Sequence, residues 1–178
     1  NGDVMTAKKL IDVASEAKVD YVKFQSFKAD KLVSPIAKKA EYQIKNLKDK
    51  DDFQYQMLKK LELSDEDHRE LISYCKTKNV KFFSTAFDFT SLDFLSRKIS
   101  LKNHKIPSGE ITNYPLLLEH SLRDHNIILS TGMSTIDEIK NAINLIAYGF
   151  LHKGKKIHNI EFPSLSKDYT QKIKKKIY

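Results

Sequence analysis

Apolar positions along the chain keep two alternating rhythms. From Thr6 to Ala17, Ala7, Leu10, Ile11, Ala14 and Ala17 recur at spacings of three and four, which predicts a helix with one buried stripe. "DYVKFQ" (20–25) then reads as a strand. Ser64 is placed as an N-cap, with Asp67 as the acid of a capping box, and opens a helix to about Lys78 with Leu71, Ile72 and Cys75 inward. "VKFFST" (80–85) is the second strand, followed by a short helix over Ser91 to Lys98. "NHKIP" (103–107) is the third strand, with a helix over Tyr114 to Leu122 behind it. "NIILST" (126–131) is the fourth, and Thr135 to Tyr148 a helix with Ile136, Ile139, Ile143 and Ile146 as its stripe.

Strand and helix alternate with no hairpin signal, the pattern of a parallel sheet built from βαβ units. The last three strands start 23 residues apart, a tight repeat that points to an α/β fold of the (β/α)8 TIM-barrel type. A full barrel needs about 250 residues. The expectation is therefore an incomplete barrel over residues 1–150: about the first five βα units, with the first strand missing because the chain opens on a helix. One connection is abnormally long. Residues 26–63 separate the first strand from its helix and hold two helix-like stretches, "KAEYQIKNL" and "DDFQYQMLKKLEL". At the C-terminal face of a barrel, such an insertion is a substrate loop or a decoration.

Composition narrows the function classes. The chain is 40% hydrophobic and 30% charged, with no apolar run near a membrane span, which suits a soluble globular protein rather than a membrane partner. Cys75 is the single cysteine, so no internal disulfide forms and a cytoplasmic location fits. The net charge of +8 is not a nucleic-acid signature, because most of it lies beyond Leu151, where eight lysines face only Glu161 and Asp168. Residues 151–178 read as a basic tail, solvated and disordered.

The strand ends carry the chemistry. They read Lys23 and Gln25, then Ser84 and Thr85, then Lys105 with Ser108 and Glu110, then Ser130 and Thr131. Parallel strands bring such ends to one face, and side-chain alternation puts Lys23 and Gln25 on one side with Phe24 on the other. Lysines supply positive charge and hydroxyls supply donors, which together suit a phosphate or carboxylate. Gly109 and Gly132 allow backbone N–H groups to approach such a ligand. The six histidines suggest no metal site: no pair has i, i+4 spacing, and His104 points away from Lys105 by alternation.

Seven stretches make the chain recognisable: "NGD" (1–3), "VKFQSF" (22–27), "KAEYQ" (39–43), "MLKKLELS" (57–64), "FFSTAFD" (82–88), "KIPSGEITNYPLL" (105–117) and "ILSTGMST" (128–135). In this order and spacing they resemble the N-acetylneuraminate (sialic acid) synthase family, including legionaminate and pseudaminate synthases. The resemblance implies a barrel that condenses phosphoenolpyruvate with an N-acetylated amino sugar such as N-acetylmannosamine. The enol carbon attacks the sugar aldehyde, water adds to the other carbon, and phosphate leaves with C–O cleavage.

By the same resemblance, Lys23, Thr85, Lys105, Ser108 and Ser130 hold phosphoenolpyruvate, and Gln25 and Glu110 are the catalytic-pocket positions. A divalent metal, Mn2+ or Mg2+, polarises the aldehyde, with ligands absent from this chain, and the full-length family is homodimeric. Residues 151–178 depart from the family pattern, as a truncated or frame-shifted segment would, and a chain of this length is expected to be inactive alone. Two other readings stay open: a non-catalytic remnant that binds a phosphorylated ligand, and another phosphoenolpyruvate-condensing barrel synthase.

Overall fold

The computed structural model describes residues 2–46, 53–123, 125–159, 161–164 and 167–172. Four strands form a sheet in the order β1-β2-β3-β4. They are β1 (Tyr21–Ser26), β2 (Lys81–Ala86), β3 (Asn103–Ile106) and β4 (Asn126–Leu129). Sequence neighbours pair, and β2–β3 and β3–β4 are parallel, as right-handed βαβ units require. This is the α/β arrangement expected of a (β/α)8 barrel, with four of its strands among the described residues. The chain divides into two compact units, Asn1–Phe82 and Phe83–Tyr178.

In the first unit, α1 (Val4–Glu16) starts at Asp3, whose carboxylate accepts the Thr6 N–H at 2.7 Å. Hydrogen bonding from the Thr6 side chain first, and from its backbone N–H second, holds the Asp3 carboxyl below its ordinary range. α5 (Asp65–Thr77) starts with the expected reciprocal cap, Ser64 and Asp67 each accepting the other's backbone N–H. The two helices meet through Ala7 and Ile11 on one side and Leu71 and Cys75 on the other, with Val22, Phe24 and Phe82 of the strands packed against them. Full burial of Ile11 and Leu71 contributes about 2 kcal/mol each. The α1 stripe is narrower than its periodicity predicts. Leu10 is 58% exposed, because α1 lays the i, i+4 pair Ala7 and Ile11 on α5 and turns Leu10 outward. Between β1 and α5, the long connection contains α2 (Ala29–Leu32), α3 (Glu41–Asn46) and α4 (Gln54–Lys59), so each helix-like stretch holds a short helix. Residues 47–52, including the start of the second stretch, lie outside the described residues.

In the second unit, Thr85 of β2 is in register with Lys105 of β3, and Lys105 with Ile128 of β4. α6 (Phe89–Asp93) begins two residues earlier than expected, because Asp88 caps it by accepting the Ser91 N–H at 2.8 Å. It runs on into a π-helical turn, Phe94–Lys98. α7 (Tyr114–Ser121) and α8 (Ile136–Leu151) enclose the main core with Ile106, Leu117, Leu118, Ile127, Leu145 and Ile146. The buried face of α8 is Ala142, Leu145, Ile146 and Gly149, so Ile136, placed on the stripe by its spacing, is instead 66% exposed. Gly149 has a packing reason: a Cβ there would run into Ser121 Oγ of α7.

The basic tail is not wholly solvated. Tyr169 is buried, sits edge-on to Tyr148 at 4.8 Å, and its N–H donates to Asn144 Oδ1 at 2.6 Å. The Asn144 amide also donates to the Lys167 carbonyl at 2.6 Å. One aromatic ring and one bracing amide are enough to fasten the segment. Among lysines, a single tyrosine leaves no periodic signal.

Candidate functional site

β1 alternates as expected. Val22 and Phe24 are half-buried, and Phe24 stacks on Phe82 with ring centroids 5.1 Å apart, while Lys23 and Gln25 are exposed. The strand ends on the buried Ser26, whose Oγ lies 2.6 Å from His68 Nε2. His68 Nδ1 is 2.7 Å from the Ser64 carbonyl. A carbonyl only accepts, so Nδ1 carries the proton and Nε2 accepts from the Ser26 hydroxyl. Burial holds the His68 imidazole below its usual pKa. Sequence reasoning placed Ser26 only within a matching stretch and His68 only on a helix. Their contact spans 42 residues and has no local signature.

The strand ends of the second unit gather four of the expected residues. Thr85 and Lys105 are penultimate in their strands and in register across the ladder. Ser130 follows β4 and extends its pairing, its N–H donating to the Ile106 carbonyl at 3.0 Å. Ser108 opens a 3-10 turn, Ser108–Glu110, directly after β3. A Cβ built on Gly132 would meet Ser108 Oγ at 3.6 Å, so the β4 loop passes over that serine. Thr85 is fully buried, and its Oγ1 has no hydrogen-bond partner among the described residues. A buried hydroxyl left in that state costs about 1–3 kcal/mol. The side chain stands beside a lysine, at the end of a parallel sheet where ligands sit.

Glu110 is half-buried and committed to a neighbour. Its Oε2 accepts from Asn113 Nδ2 at 2.7 Å, and Asn113 Oδ1 in turn caps α7 by accepting the Leu116 N–H at 3.3 Å. Glu110 thus fixes the helix start that follows the rim. Lys23 and Gln25 belong to the first unit.

The histidines depart from expectation. His104 (β3), His120 (α7) and His125 (the residue before β4) are buried, and one ring nitrogen from each lies within 4.8 Å of the other two. His104 and His125 stack at 3.8 Å, and His120 stands edge-on to both. His104 Nε2 is 3.2 Å from the Leu101 carbonyl and therefore carries the proton, which leaves Nδ1 as a lone pair with no partner among the described residues. His120 Nε2 is likewise buried without one. Burial pushes the His104 imidazole down to about 4, and pushes His120 well down, with the neighbouring His104 and Arg123 adding to it. The sequence test for ligand pairs used i, i+4 helix spacing. It misses a group assembled from a strand, a helix and the turn between helix and strand.

A family model described as the NeuB family matches residues 10–175. The N,N'-diacetyllegionaminic acid synthase of Campylobacter jejuni is 46% identical over 169 residues, covering 95% of this chain and 49% of that protein. The N,N'-diacetyllegionaminic acid synthase of Legionella pneumophila is 47% identical over 146 residues, covering 82% of this chain and 40% of that protein. Among solved structures, the N-acetylneuraminic acid synthetase of Leptospira borgpetersenii, in complex with citrate, superposes with a TM-score of 0.68 at 26% identity, over 84% of this chain and 47% of that one. The chain thus spans about half the length, or less, of the relatives it matches.

Proposed function

The chain belongs to the NeuB family, and on that premise we propose that its strand-end rim binds phosphoenolpyruvate. The whole protein condenses it with an N-acetylated amino sugar to give a nine-carbon sialic-type acid and phosphate. The observation that carries the reading is the buried, partnerless Thr85 hydroxyl in register with Lys105. Lys105, joined by Lys23, supplies charge for the phosphate and carboxylate, and Thr85, Ser108 and Ser130 supply donors. Glu110 and Gln25 take the catalytic-pocket roles next to the sugar, with Glu110 oriented by Asn113. Two relatives named as synthases of N,N'-diacetyllegionaminic acid support a sugar of that class.

The rim residues do not fit a Mn2+ or Mg2+ ion. Such hard cations take several oxygen ligands, usually with carboxylates, whereas this set has two lysines and a single carboxylate. No step is therefore assigned to a metal on these residues.

Calorimetry with phosphoenolpyruvate tests the reading. Lys105→Ala is expected to weaken binding at least tenfold, about 1.4 kcal/mol, in a chain that stays folded. Equal affinity in the variant would return Lys105 to a structural role.

A further inference from the structure

The histidine group lies on the other side of β3 from Lys105 and belongs to no part of the phosphoenolpyruvate reading. We propose that His104, His120 and His125 bind one Zn2+ ion through three imidazoles, an ion that ties α7 to β3 and to the turn before β4. Three observations converge on it. One nitrogen from each ring lies within 4.8 Å of the others, and rotation of the rings has to bring them to the ~3.3 Å ligand spacing of a tetrahedral zinc. His104 Nδ1 and His120 Nε2 are lone-pair or donor atoms buried without a partner, on side chains that are 0% exposed. The donor set contains imidazole alone, which suits zinc-type ions rather than Mg2+ or Mn2+.

The second shell is also in place. The Leu101 carbonyl fixes the His104 tautomer, as outer partners of metal-bound histidines do. Arg123, the nearby cation that opposes a metal, is met by two carboxylates: Glu119 at 2.5 Å and Asp93 at 3.1 Å. Binding requires His104 and His125 to tilt out of their 3.8 Å stack, so that both lone pairs meet one ion.

The test is Zn2+ titration of the chelator-treated full chain against a competing chromogenic chelator, with crystals of the zinc-loaded chain measured by anomalous scattering at the zinc edge. One ion per chain is expected. His104→Phe and His120→Leu should each weaken it at least a hundredfold, while His158→Gln, at an exposed position, should leave it unchanged. Zinc should also raise the thermal unfolding midpoint of the wild type and leave that of His120→Leu unmoved. If the core variants do not fold, the anomalous peak decides: a peak among the three rings supports the site, and a peak elsewhere or none overturns it. Unchanged affinity in folded His104 and His120 variants overturns it equally. Loss of phosphoenolpyruvate binding has no bearing on this result, because the two sites share no residue.

Discussion

Thr85→Val should make the free protein more stable and the ligand complex weaker. Valine keeps the shape of threonine and replaces only the hydroxyl, so no cavity opens. In the wild type that hydroxyl is buried with no partner, a cost of about 1–3 kcal/mol that valine does not carry. Stabilisation of about 1 kcal/mol is therefore expected. For a chain of this size that raises the melting midpoint by about 2–4 °C. The ligand reverses the sign. A hydroxyl that donates to an anionic oxygen contributes about 1.5–3 kcal/mol, so phosphoenolpyruvate should bind roughly 10- to 100-fold more weakly. Urea unfolding with and without phosphoenolpyruvate reads both effects on one sample. A valine variant that is destabilised, with unchanged affinity, would refute the reasoning and make Thr85 an ordinary core residue.

Gly149→Ala should destabilise by about 1–3 kcal/mol in denaturant unfolding despite alanine's better helix propensity, because its Cβ meets Ser121 Cβ at 2.5 Å; adding Ser121→Gly should recover most of the loss. Arg123→Met should cost about 2 kcal/mol by stranding the Glu119 carboxylate, which is 18% exposed, whereas Asp93 keeps Arg97 and water; Glu119→Gln in the same background should recover part of it. In metal-free protein, His104 is neutral when folded, with a pKa of about 4 against about 6.5 unfolded, so its share of stability is full above about pH 6.5 and is lost as pH falls toward 4. That share is about 3 kcal/mol, and His104→Phe should flatten the slope of urea midpoints between pH 6.5 and 4.

The parallel sheet was legible because period-two strands and period-three-to-four helices alternate cleanly, and because a cap such as Ser64 with Asp67 is local. Strand-end placement was legible for the same reason: parallel order puts Thr85, Lys105 and Ser130 at neighbouring strand ends before any contact is known. What depends on partners was not. Leu10 and Ile136 fit their stripes by spacing, yet each helix buries only the residues its neighbour covers. The Ser26–His68 bond and the three-histidine group join residues from different elements, and their sequence neighbours give no hint of it. The packing of Tyr169 depends on Asn144, 25 residues earlier.

The most direct measurement is a crystal structure of the chain with phosphoenolpyruvate. The predicted result is the anion at the strand ends, with an oxygen within hydrogen-bond distance of Thr85 Oγ1 and another at Lys105 Nζ, next to Ser108 and Ser130. An anion bound elsewhere would contradict it. The basic cleft lined by Lys18, Lys76, Lys78 and Lys81 at the start of β2 is the place where charge alone would take it.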